Sequence, residues 1–214
     1  MKEETPSTSD LSKMLVKVGC LKFGVFKLTS GKLSPYYIDL RLIPSFPGGM
    51  NKVISIYASI ANDEIGAENF ERIAGIPTAG MPFASVLAYK LSKPFLYVRE
   101  AAKTHGRERR IEGVLSPGDR VLLVDDLITS GKSIVEAANI LRGEGGMVSD
   151  ALVLIDREEG GFENLSKVGV KLHSFMRISG IARELHEAEL IDKRRYEEIL
   201  KQTGAKGLVR KASS

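Results

Sequence analysis

The stretch of sequence that decides the fold is VLLVDDLITSGKS, residues 121–133. Its first four residues are apolar and predict a buried strand, and the small residues that follow lead into a helical pattern over 133–142. The backbone N–H groups of such a loop and the N-terminus of the next helix form a cradle for a phosphate group. Gly131 lets the backbone approach a ligand closely, and the serine and threonine hydroxyls of the loop add donors.

Two acids precede this loop. Asp126 holds the place that the first glycine occupies in the nucleotide-triphosphate loop GxxxxGK(S/T), and Asp125 comes just before it. Two carboxylates would repel a polyphosphate there, but they can accept hydrogen bonds from adjacent sugar hydroxyls. A cradle for one phosphate beside acceptors for a diol suits a ribose 5-phosphate. The alternative is an acid that caps a helix after a buried strand, for which one carboxylate would suffice.

Strands and helices alternate along most of the chain. The alternation predicts an α/β fold with a mainly parallel sheet flanked by helices, in which ligands bind beyond the carboxyl ends of the strands. The predicted strands of this sheet are 72–76, 95–98, 121–124, 151–155 and 170–175. Within a single domain, we expect an N-terminal arm and hood over 1–45, a core over 46–178, and C-terminal helices and a tail over 179–214. Asp10 and Asp192 are predicted helix N-caps.

The composition excludes several classes of protein. A chain of 214 residues with 43% hydrophobic residues can bury a core. Cys20 is the only cysteine, and the three histidines lack ligand spacing, so neither a disulfide nor a structural zinc site is expected. The polar N-terminus and the absence of an 18-residue apolar run predict a cytoplasmic protein without a membrane span. A net charge of +4 fits an anionic ligand but does not predict nucleic-acid binding.

The strand, acid pair and Thr/Ser-Gly loop at 121–133 resemble the binding motif of the phosphoribosyltransferase family. The resemblance implies the phosphoribosyltransferase fold with a small N-terminal hood. It also implies that Asp125 and Asp126 hold the ribose hydroxyls of 5-phosphoribosyl 1-pyrophosphate. The residues that would hold the 5-phosphate of this donor are Leu127, Ile128, Thr129, Ser130, Gly131, Lys132 and Ser133.

The segment REAAKTHGRERR, residues 99–110, is polar throughout and follows a predicted strand. A charge run alone favours a solvated surface loop. Its Lys-x-His-Gly order resembles the catalytic loop of orotate phosphoribosyltransferases, which implies that Arg99, Lys103 and His105 bind pyrophosphate, with Lys103 and then His105 as the catalytic groups. In that family the loop reaches the active site of a second subunit, so the resemblance implies a homodimer with shared active sites. Glu100 stands where many bacterial members have lysine, and we expect no binding role for it.

The segment FGVFKLTSGKLSPYYIDLR, residues 23–41, resembles the hood of the same family through its Ser-Gly-x-x-Ser-Pro turn and the aromatic pair after it. The resemblance implies that Tyr36 and Tyr37 lie against the flat ring of orotate. The alternative is a pair of ordinary strand aromatics on two faces. Thr29 and Ala79 each stand where family members carry a lysine, which removes a cation from the hood and from the loop expected beside the pyrophosphate.

The segment DREEGG, residues 156–161, follows another predicted strand and resembles a signature of the same family. The resemblance implies that Arg157, with Thr129, binds orotate, and a guanidinium fork matches the geometry of a carboxylate. The alternative is an arginine that merely pairs with Asp156 or Glu158 at the end of a strand.

Together these resemblances imply a Mg²⁺-dependent transfer of the ribose 5-phosphate group to orotate, which gives orotidine 5′-monophosphate and pyrophosphate in pyrimidine biosynthesis. Mg²⁺ would be held mainly by pyrophosphate and water, with no dedicated protein ligands. Two rivals are a phosphoribosyltransferase for another base and a regulator that senses the sugar donor without catalysis. The segment at 156–161 disfavours the first, and Lys103 with His105 disfavours the second.

Overall fold

The structure is a computed structural model that describes residues 6–27, 31–99 and 110–203. Helices and strands alternate through most of these ranges. In chain order they are α1 (Thr8–Lys17), β1 (Leu21–Lys27), β2 (Leu33–Ile38), α2 (Pro47–Ser59), β3 (Arg72–Gly75), α3 (Met81–Lys90), β4 (Phe95–Val98), β5 (Ile111–Glu112), β6 (Arg120–Val124), β7 (Leu127–Ile128), α4 (Lys132–Gly143), β8 (Met147–Asp156), α5 (Gly161–Lys167), β9 (Lys171–Arg177), α6 (Ile178–Glu187) and α7 (Lys193–Gln202). A π-helical turn, Ile60–Ile65, extends α2, and short 3-10 turns span Leu40–Ser45 and Ala67–Asn69.

The main sheet has the strand order β5-β4-β3-β6-β8, with β9 on the far side of β8 and β7 paired to the carboxyl end of β8. The pairs formed by β3, β4, β6, β7, β8 and β9 among themselves are parallel, and the short β5 is antiparallel to β4. This arrangement confirms the predicted α/β class. It also brings the carboxyl ends of the parallel strands to one edge of the sheet, where the sequence places its acids and its phosphate loop.

Strand β6 shows why the sheet is covered on both faces. Leu122 and Val124 point into a core shared with the hood, α2, α3 and α6. Val121 and Leu123 point into a second core under α4 and α5. All four side chains are buried, as the period of two in a strand requires when both faces are covered. Burial of each contributes roughly 1.5–3 kcal/mol, so the strand that carries the acid pair is firmly held.

The hood is an antiparallel hairpin of β1 and β2, with Phe23 paired to Tyr36 and a bulge between Phe23 and Phe26. Helix α7 packs against β2, and α1 packs against both β1 and α6. The sequence predicts two short hood strands over 25–28 and 36–40, and in the structure the two strands begin earlier, at Leu21 and Leu33. The first and last helices of the described ranges, α1 and α7, therefore both pack against the hood and against α6.

Two predicted helix caps have different outcomes. Asp192 is the N-cap of α7, and its side chain accepts a hydrogen bond from the N–H of Arg195. The prediction for Asp10 is wrong, because the helix starts at Thr8 and the N-cap is Ser7. The Ser7 hydroxyl already accepts from the N–H of Asp10, which leaves Asp10 in the first turn, where an acid is favourable to the helix dipole.

Among the helices in the described ranges, none combines the length and the apolar character needed to cross a membrane.

Candidate active site

The candidate site lies at the edge of the sheet where β3, β6 and β8 end. Asp125 directly follows β6, and Arg157 directly follows β8. The loop after β3 comes to the same place, because a Cβ atom added to Gly80 would lie 2.8 Å from Cα of Asp125 and 2.8 Å from the carbonyl oxygen of Val124. Only a residue without a side chain permits this approach of the two loops. The topology thus joins three segments that are far apart in sequence.

The acid pair is fixed by its own backbone. Oδ1 of Asp125 accepts from the N–H of Asp126 at 2.8 Å, and Oδ1 of Asp126 accepts from the N–H of Leu127 at 2.8 Å. The carbonyl oxygen of Asp125 accepts from the hydroxyl of Tyr57 at 2.7 Å. One oxygen of each carboxylate is therefore hydrogen-bonded to the backbone of the next residue. The second oxygens are the hydrogen-bond acceptors that a sugar diol requires.

Both carboxylates lie in a desolvated place. Burial, and then the charge of Asp126, raises the pKa of Asp125 well above its ordinary value. Burial also raises the pKa of Asp126, although its hydrogen bonds and the positive charge of Arg41 act in the opposite direction. Among the described residues no ion pair to either acid is present, and two neighbouring acids in this setting are costly to keep ionised, which is typical of a binding site and not of a structural pair.

The loop between β7 and α4 is the predicted phosphate cradle. Gly131 has φ 76° and caps α4 in the left-handed region. Its α-carbon faces α5, since an added Cβ would lie 2.5 Å from Cδ1 of Leu165. The carbonyl oxygen of Ser130 accepts from the side-chain amide of Asn164 at 3.0 Å, so carbonyl groups of the loop turn toward the protein. Ser130, Lys132 and the first turn of α4 remain exposed to a ligand.

The residues predicted to bind 5-phosphate thus form one continuous unit. Leu127 and Ile128 form β7, Thr129 is partly buried, and Lys132 and Ser133 open α4. Ile128 packs in the core beneath the loop, so its contribution to a ligand is limited to the backbone.

Arg157 is buried, with 7% of its surface exposed. The backbone N–H of Arg157 donates to the carbonyl oxygen of Ile128 at 3.0 Å, so Arg157 lies beside Thr129. Its guanidinium carbon lies 5.0 Å from the centre of the Tyr36 ring, and Nε donates to the Tyr36 hydroxyl at 3.4 Å. Three of the four predicted orotate-binding residues therefore meet across the hood and the sheet edge.

The guanidinium of Arg157 is not fully satisfied. Nη2 lies 2.8 Å from Oε1 of Glu159, an ion pair. Yet the direction of this contact does not meet hydrogen-bond geometry, and Nη2 has no hydrogen-bond partner in the part of the chain that the structure describes. A buried donor left in this way costs about 1–3 kcal/mol, which an incoming acceptor atom would recover.

Tyr37 lies on the other face of β2. Its ring packs against Phe26 at a centroid distance of 5.6 Å, and its hydroxyl accepts from Nη2 of Arg41 at 3.3 Å. Arg41 also forms a two-point ion pair with Asp39, with contacts of 2.7 and 2.8 Å. Since Tyr36 is fully buried beside Arg157, the two tyrosines face different surroundings. The proposed contact of both rings with orotate stays a prediction.

Arg99 stands at the base of the predicted catalytic loop. Its N–H donates to the carbonyl oxygen of Arg110 at 2.7 Å, which closes the segment between them, and its Nη1 pairs with Glu112 at 3.2 Å. Arg99, Arg110, Pro77 and Lys132 line a cavity of about 310 Å³ between the loop after β3 and α4. The structure thus brings the predicted pyrophosphate residue Arg99 next to the phosphate cradle.

Several predicted positions lie outside the described residues. They are the predicted catalytic residues Lys103 and His105, the departures Glu100 and Thr29, and Arg107 and Arg109, to which the sequence assigns no role.

Sequence reasoning missed some residues of the site. Tyr57 anchors Asp125 from α2, Glu159 pairs with Arg157, and Gln202 reaches the same cluster from α7. The apolar spacing around Tyr57 indicates only a core helix, and a glutamine near the end of a charged helix carries no signal of its own. These contacts depend on the tertiary fold and become visible only with it.

Comparison with known proteins gives the family. The model of the phosphoribosyl transferase domain matches residues 47–172. The orotate phosphoribosyltransferase of Cenarchaeum symbiosum is 43% identical over 180 residues, which cover 84% of this chain and 90% of the relative. That of Sulfolobus acidocaldarius is 44% identical over 182 residues, which cover 85% of this chain and 90% of the relative.

Solved structures agree with these relatives. The orotate phosphoribosyltransferase of Aeropyrum pernix superposes with a TM-score of 0.75 at 35% identity and covers 85% of this chain and 99% of its own. The UMP synthase of Leishmania donovani superposes with a TM-score of 0.82 at 33% identity, over 94% of this chain and 43% of that longer one. Because relatives with 43% and 44% identity cover most of the chain and the domain model matches residues 47–172, the chain belongs to the orotate phosphoribosyltransferase family of pentosyltransferases.

Proposed function

We propose that this enzyme transfers the phosphoribosyl group of 5-phosphoribosyl 1-pyrophosphate to orotate and releases pyrophosphate and orotidine 5′-monophosphate. The observation that carries the proposal is the pairing of two subsites at one sheet edge. One has acceptors for a diol beside a phosphate cradle, and the other has a buried guanidinium with an unsatisfied donor. The family membership supports the same reaction.

On the donor side, the free carboxylate oxygens of Asp125 and Asp126 would accept from the ribose hydroxyls. The exposed backbone and hydroxyls between Thr129 and Ser133 would hold the 5-phosphate at the N-terminus of α4. Binding of the sugar hydroxyls would add donors to two carboxylates that each accept a backbone N–H. The desolvation of the pair therefore favours the bound state over the empty one.

On the acceptor side, Arg157 would bind the carboxylate of orotate and Thr129 would contact its ring from the adjacent backbone. The ring nitrogen then attacks the anomeric carbon as the bond from that carbon to the pyrophosphate oxygen breaks. The enzyme has to align the reactants, exclude water and stabilise the leaving pyrophosphate. We assign the last task to Arg99, Lys103 and His105, with Lys103 first.

The proposed reaction depends on Mg²⁺. Within residues 6–27, 31–99 and 110–203, no three His, Cys, Asp or Glu side chains are grouped to hold a metal ion. Mg²⁺ commonly takes most of its ligands from phosphate groups and water, and we propose that it does so here. Asp125 and Asp126 would be the nearby carboxylates. When bound, Mg²⁺ would neutralise charge on the leaving group.

We further propose a homodimer in the cytoplasm, with Lys103 and His105 of one subunit serving the site of the other. The single, buried Cys20 fits a reducing compartment. Mixing of Lys103→Ala with Arg157→Ala tests the sharing, at an orotate concentration low enough that each variant alone has little activity. Half of the mixed population would be heterodimers with one intact site each, so about a quarter of the activity should return. No recovery after subunits have been shown to exchange would contradict shared sites.

The function itself is tested by an absorbance assay of purified protein with the sugar donor, Mg²⁺ and orotate, run beside uracil, hypoxanthine and a reaction without metal. We expect consumption of orotate that requires both the donor and Mg²⁺. Turnover of another base alone would overturn the acceptor assignment and leave the donor site standing. Donor binding with no turnover of any base would favour a sensor of the donor over an enzyme.

A further inference from the structure

A row of polar contacts runs from the hood through α7 to the guanidinium of Arg157. The hydroxyl of Ser34 donates to Oε1 of Gln202 at 3.1 Å. Nε2 of Gln202 donates to Oε1 of Glu159 at 3.4 Å, and this same oxygen lies 2.8 Å from Nη2 of Arg157. The orientation of the amide follows from its neighbours, because a carboxylate can only accept. The row lies outside the segment matched by the family domain except at Arg157 and Glu159.

We propose that Glu159, held in place by Gln202 of α7, is a positioning residue that fixes Arg157 for the carboxylate of the acceptor. The inference rests on the proposed function, since it concerns how the acceptor subsite is built. It makes the last helix of the chain part of substrate recognition.

The first step of the argument is the charge of Arg157. A guanidinium with 7% of its surface exposed requires a compensating charge, and Glu159 is the carboxylate in contact with it. Tyr36 supplies only a ring face and a neutral hydroxyl, since burial raises the pKa of that phenol. Without Glu159, a long flexible side chain would lose its only ion pair among the described residues and would turn toward solvent or another acid.

The second step is the geometry left for a ligand. Glu159 contacts one end of the guanidinium, and Tyr36 contacts Nε at the other side. The donor capacity of Nη2 is not used up, because its contact with Glu159 lacks hydrogen-bond geometry. The side chain is therefore restrained on two sides and keeps donors for an incoming carboxylate.

The third step separates Glu159 from the fold of its loop. Oε2 of Glu158 accepts from the N–H of Ser179 at the start of α6 at 2.9 Å, and Oδ1 of Asp156 accepts from the N–H of Glu158 at 2.7 Å. These contacts hold the loop without Glu159. The Glu159 side chain is consequently free to act on Arg157, and its loss should leave the loop in place.

The test compares Glu159→Ala, Glu159→Gln and Gln202→Ala with the wild type and with Lys201→Ala, which removes an exposed neighbour on the same helix. For each protein, kcat and KM are measured for orotate, for the sugar donor and for uracil, which lacks the carboxylate. Thermal unfolding is recorded in parallel. Wild-type turnover of orotate is established first, because its absence would overturn the proposed function itself.

For Glu159→Ala we expect KM for orotate to rise roughly tenfold or more, while kcat and KM for the donor stay within about threefold. Glu159→Gln keeps an oxygen at Nη2 without the charge, and its KM should be intermediate. Gln202→Ala should raise KM for orotate by about threefold, and Lys201→Ala should not change it. Any activity with uracil should be the same in all five proteins.

Three results would overturn the inference while leaving the proposed function intact. A lower KM for orotate in Glu159→Ala would show that Glu159 competes with the acceptor and does not position its partner. An unchanged KM in both Glu159 variants would remove any role in recognition. An equal loss for orotate, donor and uracil, together with a lower unfolding temperature, would show a purely structural residue.

Discussion

The proposed donor and acceptor halves of the site are built in opposite ways. The donor half is a single run of sequence from Asp125 to Ser133, whose backbone binds its own side chains and closes onto the start of α4. The acceptor half joins Tyr36 of the hood, Arg157 after β8 and Gln202 of the last helix. The first can be recognised as a motif, whereas the second exists only when both ends of the chain are folded onto the sheet.

The two halves also differ in how their charged side chains affect the stability of the protein. The donor half places two carboxylates in a desolvated position and raises the pKa of each, so it costs stability until a ligand arrives. The acceptor half balances its buried charge internally, through the ion pair of Arg157 and Glu159. Removal of a buried charge from one half or the other should therefore affect different ligands and should have opposite effects on stability.

The largest expected effect comes from Arg157→Ala, which breaks the acceptor half alone. Loss of a buried arginine that binds a carboxylate should raise KM for orotate roughly 100-fold, about 3 kcal/mol of binding. KM for the sugar donor should change little. Steady-state kinetics with each substrate varied in turn measures both, with Arg194→Ala, at a site with a side chain 85% exposed, as the control. An equal rise of both KM values would contradict the separation of the halves.

The donor half is broken by Gly131→Ala. The residue has φ 76°, and the new Cβ would lie 2.5 Å from Cδ1 of Leu165. We expect a loss of about 1–3 kcal/mol in the free energy of unfolding and weaker donor binding, with orotate recognition less affected. Chemical denaturation and donor titration measure these effects. The matched control is Gly143→Ala in the last turn of α4, where an added Cβ meets nothing within 4 Å and stability should hold or rise slightly.

Asp125→Asn is expected to raise the free energy of unfolding, by less than Gly131→Ala lowers it. Burial raises the pKa of Asp125 above its ordinary 3.8, so the folded chain binds more protons than the unfolded chain and stability falls as pH rises above about 4. The amide can still accept from the N–H of Asp126. At pH 7 the variant should be more stable than the wild type by on the order of 1 kcal/mol, while donor binding falls.

Denaturant unfolding at pH 7 and near pH 4 checks this sign. The advantage of Asp125→Asn should shrink toward pH 4, since the carboxyl is then largely neutral in the folded chain and partly neutral in the unfolded chain. A variant that is less stable than the wild type at pH 7 would show that the carboxylate is a structural group.

The last prediction concerns the reactivity of Cys20, which reports on the contact of the hood with the core. Cys20 precedes β1 and is fully buried, and burial followed by the charge of Asp39 raises the pKa of its thiol to about 11. We expect no reaction with an aromatic disulfide reagent at pH 8 in the folded protein and rapid reaction after unfolding. Fast labelling of the native protein would indicate that the hood opens independently of the sheet.

The same contrast explains what the sequence could predict. The strand at β6, the acid pair and the loop to Gly131 are adjacent residues with local physical reasons, and the structure places them together. Arg157 is predicted through the resemblance of residues 156–161 to a family signature, and this segment follows a strand that ends at the same sheet edge. Glu159 and Gln202 were missed, because a glutamate within an acidic run and a glutamine in a charged helix look like solvent-exposed residues until α7 is packed against β2.

The N-cap of α1 is predicted wrongly for a related reason. The choice between Ser7 and Asp10 depends on where α1 begins against α6, and both residue types favour the N-cap position. Hydrophobic spacing gave the helix but not its first residue.

The most direct measurement for the central claim compares orotate with its carboxamide, which keeps the ring and removes the charge, as acceptors for the wild type and for Arg157→Ala. If Arg157 recognises the carboxylate, the wild type should prefer orotate by roughly 100-fold in kcat/KM and the variant should lose most of that preference. Equal use of both acceptors by the wild type, or an undiminished preference in Arg157→Ala, would contradict the account.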